Sequence, residues 1–138
     1  MRHRAGFVGL VVLGVFGFSV TAAEKPPEDY QKAMQALGAF AKGVGPAITA
    51  EDYPAVTKFA TSAKDSFTVV EKYWTGKADD AMKMAQAGGK SAADLGVAVG
   101  LQSQEGAAFA AKEITDLCMG CHTAHRERMP DGTFQIKW

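Results

Sequence analysis

From Tyr53 to Trp74 the apolar residues Tyr53, Val56, Ala60, Ala63, Phe67, Val70 and Trp74 follow one another at spacings of three and four. That period belongs to an α-helix burying one stripe against neighbours at a shallow angle, and a strand, which alternates by two, is excluded. Prolines and glycines cut the chain after residue 23 into four segments of this kind. Short connections between four amphipathic helices predict an all-α fold, an antiparallel up-down-up-down four-helix bundle.

The segment ends follow from turn chemistry. The first helix is expected behind Pro26 and Pro27, with Glu28 and Asp29 in its opening turn, and is expected to stop at Gly45-Pro46. Its stripe is Tyr30, Ala33, Leu37, Phe40 and Val44, with Met34 and Ala41 on the flank. The second opens near Thr49, with Asp52 and Pro54 in its first turns, and ends at Gly76. The third runs from about Lys77 to Leu101 on Ala81, Ala85, Ala92, Leu95 and Val99, with a bend or break expected at Gly88-Gly89 because each glycine costs about 1 kcal/mol against alanine in a helix. The fourth, from Ser103 to about Arg128, buries Ala107, Ala110, Ile114, Leu117 and Cys121, and Met129-Pro130-Asp131-Gly132 ends it. Residues 24–130 thus form one helical domain, and residues 131–138 read as an exposed tail.

Residues 1–23 read as an address. Arg2 and Arg4 precede the uncharged apolar run Gly6 to Val20, and Thr21-Ala22-Ala23 offers small residues for cleavage, so the protein is expected to be exported. The run falls short of the ~20 residues that a spanning helix needs, so no stable membrane anchor is expected. Cleavage after Ala23 leaves 115 of the 138 residues, enough for one core and too few for two. Loss of two arginines from a balance of 15 basic and 15 acidic residues leaves a net charge of −2, without the basic patch that nucleic acid binding requires. The sequence contains no phosphate-binding glycine loop and no Ser/His/Asp set, and an enzyme is not expected.

The only two cysteines stand in Cys118-Met119-Gly120-Cys121-His122. Thiols three residues apart can each add to one vinyl group of a haem, and an adjacent imidazole can bind its iron; positions i, i+3 and i+4 share one helix face. C-x-x-C-H therefore reads as covalent attachment of one haem c through Cys118 and Cys121, with His122 as iron ligand. A thioredoxin-like dithiol expects a strand–helix context that this chain lacks, and a zinc site needs four ligands where only His125 and carboxylates remain. His125, one turn from His122 on the same helix, cannot reach the opposite side of the same iron. It is expected to be solvated or to face a propionate.

These residues resemble the cytochrome c′ family of class II c-type cytochromes, four-helix bundles with C-x-x-C-H in the last helix. The match lies in Cys118, Cys121, His122 and Arg126, and in Met34-Gln35-Ala36-Leu37-Gly38-Ala39-Phe40-Ala41-Lys42-Gly43, which is similar to the first helix of six-coordinate members. The resemblance implies that Met34, four positions before Gly38, covers the distal side and supplies a sixth ligand, with Met82 and Met84 as lesser candidates and Met119 tied inside the attachment loop. It implies a periplasmic carrier of single electrons serving redox partner proteins, with homodimers frequent among similar proteins. If Met34 does not ligate, it implies instead a five-coordinate haem protein that binds nitric oxide or carbon monoxide. Arg126 is expected at a propionate or a backbone carbonyl, or else in solvent. The chain departs from the family pattern in His125, where an aromatic residue is common, and in its longer tail.

Overall fold

The structure, a computed structural model, describes residues 25–137; residues 1–23, read above as an export signal, and Trp138 lie outside the described residues. Four helices of 22 residues follow one another: α1 (Glu28–Thr49), α2 (Tyr53–Trp74), α3 (Asp79–Gly100) and α4 (Gln104–His125). They pack as a four-helix bundle. A short antiparallel ribbon, β1 (Arg126–Arg128) with β2 (Phe134–Ile136), is appended to α4. Among the described residues no helix is long and apolar enough to cross a membrane.

The stripes read from the sequence form the core. Tyr30, Ala33, Leu37, Phe40 and Val44 of α1 are buried against Val56, Ala60, Ala63, Phe67, Val70 and Trp74 of α2, Ala81, Ala85, Ala92, Leu95 and Val99 of α3, and Ala107, Ala110 and Ile114 of α4. Asp52 caps α2 by accepting from the Ala55 N–H (3.1 Å), and Ser103 caps α4 by accepting from the Gly106 N–H (3.1 Å). Leu117 and Cys121, expected on the buried stripe, are only half-buried.

Several boundaries differ from the sequence expectation, each for a tertiary reason. Helix α1 runs through Gly45-Pro46 to Thr49 because Ile48, one turn past Val44, is buried and anchors another turn. Gly45 has no Cβ to meet the proline ring, and the Thr49 hydroxyl donates to the Gly45 carbonyl (3.1 Å). Helix α3 is unbroken at Gly88-Gly89: Gly88 is where Phe67 of α2 lies against the α3 backbone, and a Cβ there would stand 2.4 Å from the ring. The tail is not simply exposed. Helix α4 stops at His125, residues 126–128 become a strand, the chain turns at Gly132 (φ 84°), and Ile136 returns into the core.

Two adjacent glycines therefore predict opposite outcomes. Gly88→Ala pushes a methyl group into the buried Phe67 ring, an overpacking cost of about 1–3 kcal/mol that outweighs about 1 kcal/mol of helix propensity. Gly89→Ala meets only an ordinary 3.7 Å contact and keeps the propensity gain. Denaturant unfolding followed by circular dichroism should show Gly88→Ala less stable than wild type and Gly89→Ala more stable by up to about 1 kcal/mol.

Candidate functional site

Three of the four neighbouring helix pairs pack closely, α1 with α2, α2 with α3 and α3 with α4, whereas α1 and α4 approach each other far less. This loose edge is where the C-x-x-C-H motif points. At 100° per residue Gln104 and His122 share one azimuth on α4, with Ala111, Thr115 and Cys118 close to the same line. The Gln104 amide Nε2 donates to the Ile48 carbonyl of α1 (3.2 Å), which identifies the line as the side of α4 turned to α1. At the other end of the edge Cys121 lies near enough to Tyr30 of α1 to act on its phenol, whose pKa burial pushes up to about 12.

The facing wall of α1 is built from small residues. A Cβ on Gly43 would strike the Phe59 ring of α2, which fixes that side of α1, and Met34, Gly38 and Ala41 lie around the opposite side. A Cβ on Gly38 would meet nothing within 4 Å, and Ala41 is exposed although it adjoins the seam. Met34 is half-buried, packed on the core. The edge thus brings Cys118 and His122 to one wall and Met34 to the other.

The donor chemistry of the motif bears on which reactions the thiols suit. Both cysteines are free thiols, half-buried against the core. Burial pushes the Cys118 pKa up to about 11, with the neighbouring Cys121 adding to it, and burial also raises Cys121. A dithiol oxidoreductase needs the reverse, a thiolate stabilised near neutral pH. His122 is exposed as a residue, yet lost hydration of its ring, with the Arg126 charge second, holds its pKa below the usual imidazole value, which favours the neutral form that binds metal. Among the described residues no three His, Cys, Asp or Glu side chains are grouped to hold a metal ion.

The other expected residues are placed less uniformly. Met84 lies on the α3 side of α4, its sulfur 3.9 Å from where a Gly120 Cβ would be, beside an open groove of about 640 Å³ that also borders Leu117. Met82 is half-buried on the core, and Met119 is exposed. Arg126 places Nη1 3.4 Å from His122 Nδ1 and stacks its guanidinium 3.4 Å over the Phe134 ring, so the aromatic partner from the tail stands where a carbonyl or solvent was expected.

His125 overturns its expectation. It is 9% exposed, and its ring lies 4.9 Å from that of Trp74. Its Nε2 is 2.9 Å from Asp80 Oδ2 of α3, and its Nδ1 is 3.3 Å from the Lys137 carbonyl. Both partners only accept, so making both bonds at once requires a proton on each ring nitrogen. Trp74 Nε1 in turn donates to the Tyr30 hydroxyl of α1 (3.2 Å). Neither Asp80, 45 positions away, nor the returning tail leaves a local trace near His125 in the sequence. None of the three His125 partners is legible from the sequence.

Comparison of the chain with protein-family profiles, with curated proteins and with solved structures finds no match.

The His125 bond, foremost, holds the Asp80 carboxyl below its usual value of 3.8. A carboxylate whose pKa is lower in the folded state contributes stability that is fully present above the unfolded value and is lost as pH falls through the folded one. Acid titration of thermal stability from about pH 6 to about pH 2 should therefore show a loss in the wild type that is smaller in Asp80→Asn, with the two curves converging at the acid end.

Proposed function

We propose that this chain is an exported, periplasmic, monohaem c-type cytochrome of the cytochrome c′ type, an antiparallel up-down-up-down bundle that carries single electrons between redox partner proteins. The observation that carries this reading is the sharing of one loosely packed helix edge by two half-buried free thiols, a neutral-leaning imidazole and, on the facing wall, a methionine. Haem c supplies the one-electron Fe(III)/Fe(II) chemistry.

Each residue has a defined task. Cys118 and Cys121, half-buried on one helix, would hold the group through thioethers. His122 would ligate the iron with one ring nitrogen and keep its ring proton on the other. Arg126 has no acceptor to offer that proton, so it acts on His122 as a positive charge held in place by Phe134 rather than as the group that orients the ring. Met34 offers a thioether from α1, a ligand that raises the potential by favouring Fe(II). The core residues exclude water from the buried side of the site and leave exchange of electrons to its open edge.

A second reading is favoured by the open wall beside Met34. Gly38 and Ala41 are exposed and put no bulk beside Met34, so a Met34 that is weakly held or not bound would make the protein a nitric oxide or carbon monoxide binder.

Two experiments decide between these. Denatured wild-type protein should keep its haem through acid–acetone extraction, and Cys118→Ala with Cys121→Ala should release it; extraction from the wild type overturns the proposal. The resting wild type should be low-spin, and Met34→Ala should turn it high-spin, lower its reduction potential and speed carbon monoxide binding by an order of magnitude or more, about the loss of one ligand-displacement step. A wild type already high-spin, unchanged by the substitution, establishes the gas-binding reading instead.

A further inference from the structure

The residues that would hold the haem sit in the last two turns of α4, where backbone carbonyls lack helical partners and ends fray. In the last turn Thr123 and Ala124 are exposed, and His125 is the residue turned fully inward. It is fixed from three directions: Asp80 at the start of α3, Trp74 at the end of α2, and the Lys137 carbonyl beyond β2. The Lys137 N–H closes the loop by donating to the His125 carbonyl (3.1 Å), an acceptor freed by the end of the helix. Through Trp74 and the Tyr30 hydroxyl the same cluster reaches α1, one turn before Met34. It therefore links the two walls of the loose edge.

We propose that His125 is the positioning residue of the Cys118–His122 turn, holding it in register with the Met34 wall by bonding at once to Asp80 and to the Lys137 carbonyl. The proposal rests on the haem reading above. A phenylalanine would fill the same space against Trp74 but donate nothing, and the turn would keep its packing while losing its register. The ring acts through His122 and touches no reacting atom.

The test uses the full haem-loaded protein as wild type, His125→Phe, His125→Gln and Asp80→Asn. Covalent haem content, the ferric spectrum, the reduction potential and hydrogen exchange of residues 126–137 are measured on each. All four should retain covalent haem. His125→Phe should shift the spectrum and the potential and raise exchange at the Lys137 amide about tenfold or more. His125→Gln restores N–H donors and should fall between His125→Phe and wild type. Asp80→Asn, at an exposed position that leaves the core intact, should move the same readouts in the same direction by less. Wild-type spectrum and potential in both His125→Phe and Asp80→Asn, with only the melting temperature lowered, would show a purely structural role and overturn the proposal. If His125→Phe does not fold, Asp80→Asn decides alone. A wild type without covalent haem overturns the haem reading, and this proposal with it, whereas unmoved spectra in haem-loaded variants overturn this proposal only.

Discussion

A ring of four helices has four edges, and equal packing on all of them would leave no place for a large planar group. In this bundle the glycines and alanines are distributed so that the edges are unequal. Gly43 and Gly88 are spent on close approach, letting Phe59 and Phe67 lie against the backbones of α1 and α3. Gly38 and Ala41 do the opposite, facing open space at the edge between α1 and α4. The tight edges supply the buried area that holds the fold, and the loose edge needs no large side chain of its own to fill it.

Much of this was legible in the sequence because helix periodicity and capping are local. The apolar stripes, the start of α4 at Ser103 and the four-helix count follow from residues within a few positions of one another, whereas the second helix, expected from near Thr49, starts at Tyr53 behind the Asp52 cap because α1 continues to Thr49. What was not legible depended on partners far along the chain. A glycine pair reads as a weak point until Phe67 is known to press on it, and Gly45-Pro46 reads as a stop until burial of Ile48 outweighs it. His125 reads as a surface residue, since its neighbours in sequence are polar or small. Its burial comes from Asp80, Trp74 and a tail that folds back only because Gly132 permits the turn.

The motif itself was plain as C-x-x-C-H, but its spacing alone leaves open whether the thiols react, bind metal or are tethered. Their burial narrows this. Thiols whose pKa values are driven upward are poor nucleophiles in disulfide exchange at neutral pH. The neighbouring imidazole is pushed toward the neutral form.

On the proposed haem reading, the choice between electron transfer and gas binding falls on a single side chain. The wall carrying Cys118, Cys121 and His122 is tied to three other elements through His125, so its geometry is set by the fold. The facing wall has only Met34 to offer as a donor, flanked by small residues that neither lock it in place nor block the space beside it. A thioether on a flexible, half-buried chain can bind or withdraw with little disturbance to the core. On that reading the wall that carries the motif is set by the fold and the wall that carries Met34 is adjustable, so changes of function would come at Met34 and its immediate neighbours rather than at the motif.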